Sequence, residues 1–155
     1  MIRPAIPRDV PDIEACAKEA FRKYIDRIGR EPAPMVADFH TLVEQGRVFI
    51  FAGEDDLLRG FIVFYPRSDH MHLENIAVHN DAQGQGIGKR LIEYCEHCTR
   101  EAGLGQVELY TNVRMTENLM LYSHLGYREI ARRQEDGFER VYFRKSIQVS
   151  KVPEE

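Results

Sequence analysis

Gln83-Gly84-Gln85-Gly86-Ile87-Gly88-Lys89-Arg90-Leu91 sets a run of glycines between two apolar segments. It follows a strand-like run, Leu73 to Val78, and opens a strongly helical one. Three glycines in five residues, Gly84, Gly86 and Gly88, remove side chains where a backbone must approach something closely. The helix behind them aims its unpaired N–H groups at the same spot. A strand, a glycine turn and a helix N-terminus in that order form a phosphate cradle.

Upstream of this stretch, Met1 to Ile6 reads as a short strand. Asp9 reads as the N-cap of a helix in which Val10, Ile13, Ala17, Ala20, Phe21, Tyr24 and Ile28 recur at helical spacing. The loop 29–34 breaks that helix, and a second one is expected over Met35 to Glu44. Arg47 to Ala52 and Leu57 to Tyr65 are β-rich about a turn at Gly53-Glu54-Asp55-Asp56, and His70 to Val78 is the next strand. Downstream, Gly86 to Ala102 carries Ile87, Leu91, Tyr94, Cys95, Cys98 and Ala102 on one helical face and ends at Gly103-Leu104-Gly105. Gln106 to Thr111 is a strand, and Thr116 to Leu125 is a helix capped by Thr116 and stopped at Gly126. Tyr127 to Arg133 and Phe138 to Lys145 form a last hairpin about Glu135-Asp136-Gly137. The order β-α-α-β-β-β-α-β-α-β-β, with no repeat or linker, predicts one α/β (α+β) domain over residues 1–148. A flexible tail is expected at 149–155.

Composition narrows the partners. A length of 155 residues, 43% hydrophobic and 30% charged, suits one globular domain. A formal net charge of -4 argues against nucleic acid as a partner. No apolar run reaches the roughly 20 residues needed to span a bilayer, so no membrane role is expected. Met1-Ile2-Arg3-Pro4 lacks a signal peptide's apolar stretch, and three cysteines give no disulfide framework. Both point to the cytoplasm. Cys95-Glu96-His97-Cys98 has metal-ligand spacing, but it lies within an amphipathic helix and reads as core packing. His70-x-His72 offers two ligands only, so no metal is expected.

The glycine turn is neither of the two common nucleotide loops. A P-loop needs a hydroxyl after Gly-Lys, and Arg90 follows Gly88-Lys89. A dinucleotide fingerprint follows the first strand of a repeated β-α-β unit, whereas several strands precede this turn.

Gln83-x-x-Gly86-x-Gly88 resembles the Gln/Arg-x-x-Gly-x-Gly/Ala signature of the GCN5-related N-acetyltransferase (GNAT) superfamily. The flanking Asn75-Ile76-Ala77-Val78-His79 and Lys89-Arg90-Leu91-Ile92 are similar to that family too. Asn118-Leu119-Met120-Leu121-Tyr122-Ser123-His124-Leu125-Gly126-Tyr127 resembles its second signature, Asn-x-x-Ala-x-x-Tyr-x-x-x-Gly-Phe/Tyr. Leu121 stands where alanine is common, and Tyr127 where phenylalanine is common. The element order follows the family from Met1 to about Ser146.

This resemblance implies a mixed, mostly antiparallel central sheet flanked by helices. It implies direct transfer of an acetyl group from acetyl-CoA to a primary amine in a ternary complex. Residues Gln83, Gly84, Gln85, Gly86, Ile87, Gly88 and Lys89 would meet the pyrophosphate, and Asn118 would contact CoA. Main-chain groups of Ile76, Ala77 and Val78 would bond the pantetheine arm, and an N–H near Val78 would polarise the thioester carbonyl. In the family the strand that carries them splays from its neighbour, and the acetyl thioester sits in the gap. Tyr122 matches the family's general acid.

The base is expected at Glu74 or His72, two apart on one strand face. Glu74 acts there through a water or by orienting His72, and Tyr110 is a further polar group nearby. The acceptor wall is expected between the first two helices, where Tyr24, Arg27, Arg30 and Met35 suit an amphipathic acceptor with an anionic group. Asp26, Glu31 and Asp38 would instead suit a polyamine. The acceptor is a small-molecule or amino-acid amine, with a protein or peptide N-terminus as the alternative. A non-catalytic acyl-CoA-binding module is the other alternative. A monomer or homodimer is expected.

Overall fold

A computed structural model of the chain describes residues 1–148. The tail expected at 149–155 lies outside the described residues. The strands are β1 (Ile2–Pro4), β2 (Val48–Ala52), β3 (Leu58–Pro66), β4 (Met71–Val78), β5 (Gln106–Asn112), β6 (Arg128–Glu135) and β7 (Phe138–Ser146). The helices are α1 (Val10–Phe21), α2 (Tyr24–Ile28), α3 (Phe39–Glu44), α4 (Ile87–Glu101) and α5 (Thr116–His124). The seven strands follow the order β1-β2-β3-β4-β5-β7-β6. β1–β2, β2–β3, β5–β7 and β6–β7 pair antiparallel, and β4–β5 pair parallel. This is the mixed, mostly antiparallel sheet with helices that the family resemblance implies. Among the described residues no helix is long and apolar enough to cross a membrane.

Two compact units divide the chain: Met1–Phe64 with Glu74–Ile92, and Tyr65–Leu73 with the chain from Glu93 onward. In the first, β2 and β3 are near-continuous apolar runs, as strands covered on both faces are. Ile13, Cys16 and Ala17 of α1 are fully buried, as are Phe61, Ile62 and Val63 of β3. Phe39 of α3 meets Phe61 edge-on at 5.2 Å. Gly60 on β3 admits a close approach, because a Cβ there would stand 2.8 Å from the Ala77 carbonyl oxygen on β4.

Several boundaries differ from the sequence reading, each for a local reason. Asp9 does not cap α1 with its side chain, since its own backbone is already helical (φ -79°, ψ -16°). Its carboxylate turns back instead. It accepts from the Ile6 N–H at 2.8 Å and from Arg3 at 2.8 and 3.0 Å, which ties β1 to the first helix. The Arg3 guanidinium holds the Asp9 carboxyl below the usual carboxylate range. The expected long first helix is broken between Phe21 and Tyr24 into α1 and α2, and Gly29 at φ 88° ends α2. The second helix begins only at Phe39. Asp38 caps it, accepting from the Thr41 N–H at 3.1 Å and the Thr41 hydroxyl at 2.8 Å, while Ala33–Met35 makes a single 3-10 turn.

In the second unit, the β4–β5 ladder pairs Met71–Leu73 with Val107–Leu109, and β4 itself continues past it to Val78. β5 and β7 pair from Gln106↔Ser146 to Asn112↔Arg140. Val107, Leu109, Val141 and Phe143 bury one face of these strands, and Glu108 and Tyr110 alternate to the other. Within α4, Cys95 is buried as its spacing predicts, whereas Ala102 is exposed and Thr99 is buried in its place. Thr99 is tolerated because its hydroxyl donates to the Cys95 carbonyl at 2.7 Å. Glu96 is also buried. It accepts from the Tyr127 hydroxyl at 2.8 Å and from Lys145 Nζ at 3.0 Å. Thr116 is the first residue of α5 and not its cap; the Asn112 side chain instead takes the Arg114 N–H at 2.9 Å just ahead of the helix.

Gly60→Ala should destabilise the fold by about 1–3 kcal/mol, because the new methyl overlaps a backbone oxygen that cannot rotate away. Chemical denaturation checks it, and an unchanged midpoint would refute the close approach.

Candidate functional site

The glycine turn is built by its two ends. Ile76 and Ala77 at the end of β4 are buried, and Val78 is half-buried. A 3-10 turn, Asn80–Ala82, follows and buries Ala82 as an anchor. The chain then emerges, and Gln83, Gly84, Gln85 and Gly86 are all exposed before Ile87 buries again at the start of α4. Gly84 and Gly86 adopt left-handed backbone at φ 82° and 76°, which L side chains rarely take. A Cβ on either would meet nothing within 4 Å, so the space beside the turn is open. Open space, left-handed glycines and the free N–H groups of a fifteen-residue helix together suit an anion.

Lys89 and Arg90 are both exposed, and Arg90 lies over the Phe51 ring at 5.1 Å. His79 bonds Glu19 of α1 through Nδ1, and its N–H donates to the Arg59 carbonyl at 2.8 Å. Asn75 is buried and donates to the Pro34 carbonyl at 3.0 Å. Its Oδ1 has no hydrogen-bond partner among the described residues.

Of the residues expected to recognise the acceptor, Tyr24 and Met35 are buried in the first unit, while Arg27 and Arg30 are exposed. Arg27 lies over the Tyr24 ring at 5.2 Å. Asp38 of the alternative carboxylate set is engaged as the α3 cap. Glu74 is half-exposed on β4.

The second unit holds Tyr122, His72, Tyr110 and Asn118. Tyr122 is 4% exposed, packed by the Tyr127 ring at 6.0 Å and the Phe143 ring at 5.9 Å. Burial pushes its hydroxyl pKa well above the ordinary value, so the phenol stays protonated. That hydroxyl makes no hydrogen bond among the described residues. Asn118 is half-buried on α5.

His72 is buried among rings, with Tyr65 at 5.3 Å, Tyr110 at 5.7 Å and His70 at 6.4 Å. Burial pushes its pKa down to about 4, helped by Arg67 and His70 and opposed by Glu108. The imidazole is therefore neutral at pH 7. His70 itself bonds Asp69 at 2.6 Å and Glu108 at 2.9 Å, and Glu108 also pairs with Arg144 at 2.7 Å. The sequence reading missed Asp69, the chain neighbour of His70, and Glu108, whose approach depends on the parallel His72↔Glu108 register.

A family model described as "Acetyltransferase (GNAT) domain" matches residues 44–129, more than half of the chain. Human N-acetyltransferase 8B is 25% identical over 126 residues, covering 77% of this chain and 55% of that protein. The chain thus spans about half the length of the curated relative it matches. Ard1 from Thermoplasma volcanium superposes with a TM-score of 0.76 at 17% identity, covering 96% of this chain and 97% of that one. The PaiA N-acetyltransferase from Thermoplasma acidophilum, solved in complex with coenzyme A, gives 0.76 at 15% identity, covering 94% and 98%. Both are likenesses of fold.

The buried neutral His72 makes stability fall with acid. Its folded pKa lies below the unfolded value of 6.5, so its contribution is complete above about pH 6.5 and is lost as pH drops toward about 4. The loss approaches roughly 3 kcal/mol. His72→Gln should flatten the melting temperature over that window, and an identical pH profile in the variant would contradict the assignment.

Proposed function

The chain belongs to the acetyltransferase (GNAT) family, and from that premise we propose that it moves the acetyl group of acetyl-CoA onto a primary amine. Direct transfer in a ternary complex is the mechanism, with a small-molecule or amino-acid amine as acceptor. The observation that carries this reading is the left-handed Gly84–Gly86 turn opening α4. Coenzyme A in the structure of the PaiA relative supports it. Acetyl-CoA supplies the activated acyl thioester.

The chain's own residues do the rest. Amides from Gln83 to Gly88 hold the pyrophosphate, with Lys89 beside them and Asn118 on the CoA chain. Main-chain groups of Ile76, Ala77 and Val78 align the pantetheine arm, and the Val78 N–H faces the carbonyl oxygen, where charge develops. Glu74 takes the proton from the attacking amine, directly or through water. The low pKa of His72 makes it a weaker base, so it serves as a neutral hydrogen-bonding partner. Tyr122, protonated and with an uncommitted O–H among the described residues, donates to the leaving thiolate. Cysteine does not enter. Cys16 is buried with its thiol pushed up to about 12, and burial raises Cys95 as well.

A peptide N-terminus satisfies the same chemistry and is the second acceptor class. A thiol-release assay with acetyl-CoA against a panel of free amines and peptides separates them. Release with no substrate class would leave a non-catalytic CoA-binding module.

Tyr122→Phe should lower kcat by about 100-fold or more while acetyl-CoA affinity holds within about twofold. Unaltered turnover would remove Tyr122 as the acid. Gly86→Glu should abolish CoA binding by calorimetry, since it forces left-handed backbone on a charged residue beside the phosphates. Affinity equal to the parent chain would refute the phosphate cradle.

A further inference from the structure

We propose that Arg140 recognises a carboxylate on the acyl acceptor, so that the preferred substrate is an amine that also carries an acid. This rests on the acetyl-transfer reading above and names its substrate class. Arg140 lies on β7, in register with Asn112 of β5 and Arg133 of β6. Its side chain is only 11% exposed. The guanidinium lies over the Tyr110 ring at 4.7 Å and the Phe138 ring at 5.5 Å. Stacking occupies its face and leaves the N–H donors at its edge available.

Those donors are poorly met. The nearest carboxylates, Asp136 and Glu135, stand at 3.5 and 3.8 Å, beyond good hydrogen-bond length, and Arg140 makes no hydrogen bond among the described residues. Glu135 instead accepts from the Tyr142 hydroxyl, and the Asp136 side chain is 83% exposed. Other arginines differ sharply: Arg3, Arg59, Arg132 and Arg144 meet their carboxylates at 2.7–3.0 Å. None of the Arg140 nitrogens is buried without a partner among the described residues, so they stay open to an incoming carboxylate, which a guanidinium takes in bidentate fashion.

The surroundings tie this point to the candidate chemistry. Tyr110, under Arg140, is 36% exposed and faces Tyr142 in register with rings 5.3 Å apart. On its other side lies His72, at 5.7 Å. A half-exposed ring row with a cation at one edge suits an amine bearing both an apolar body and an acid. A free amino acid and an acidic peptide share that chemistry.

The test compares acid and amide forms of one acceptor. Thiol release is measured with L-phenylalanine against its carboxamide, and with a tripeptide carrying a central Glu against its Gln counterpart. The ratio of KM for amide over acid is the readout. In the parent chain it should exceed about tenfold in at least one pair, and the pair that shows it identifies a free amino acid or a peptide as the source. Arg140→Gln should collapse it toward one, and Arg140→Lys should restore part of it. A ratio near one in the parent, or the same ratio in Arg140→Gln, overturns the proposal. If no amine releases thiol, the acetyl-transfer reading fails on its own account. Calorimetry of the same acid and amide probes then decides the Arg140 site: Arg140-dependent preference for the acid supports it, and equal binding overturns it.

Discussion

The left-handed backbone at Gly84 and Gly86 is the constraint on which the rest of the account turns. Two buried residues bracket it, Ala82 of the preceding 3-10 turn and Ile87 at the start of α4. Between these anchors the chain must leave the core, reverse and re-enter within a few residues. Glycine permits that path without strain, and the absence of Cβ atoms leaves the backbone donors bare. A ligand held at such a turn would meet main-chain groups, so its geometry would depend on the fold and little on side-chain choice.

In the second unit a buried charge helps to position the Tyr122 ring. Glu96 would be costly in the core alone. Lys145 and the Tyr127 hydroxyl both reach it, which joins α4 to the β6–β7 hairpin. The Tyr127 ring, held at its hydroxyl, then packs against Tyr122, whose other neighbour is Phe143. Tyr122 packs against these two rings, and among the described residues its O–H makes no hydrogen bond. Burial keeps Tyr122 protonated and His72 neutral by one physical term acting on opposite charge types.

Much of the fold was legible because its signals are local. The alternation of β5, the glycine turn and the stop at Gly126 each rest on neighbours in sequence. What failed was capping and register. Asp9 looked like a cap, but its backbone is already helical and its carboxylate turns back to Arg3 and the Ile6 N–H. Asp38, which the sequence offered among carboxylates for a polyamine, caps α3. Glu96 and His70 disclose their roles only when strands 31 to 49 residues away bring Tyr127, Lys145 and Glu108 to them. Arg140 carried no motif at all, since its unmet donors follow from two rings and two ill-placed carboxylates.

A crystal structure of the chain with coenzyme A should show the pyrophosphate on the amides between Gln83 and Gly88, with the pantetheine arm along Ile76 to Val78. Coenzyme A bound away from the glycine turn, or none bound at saturating concentration, would contradict that placement.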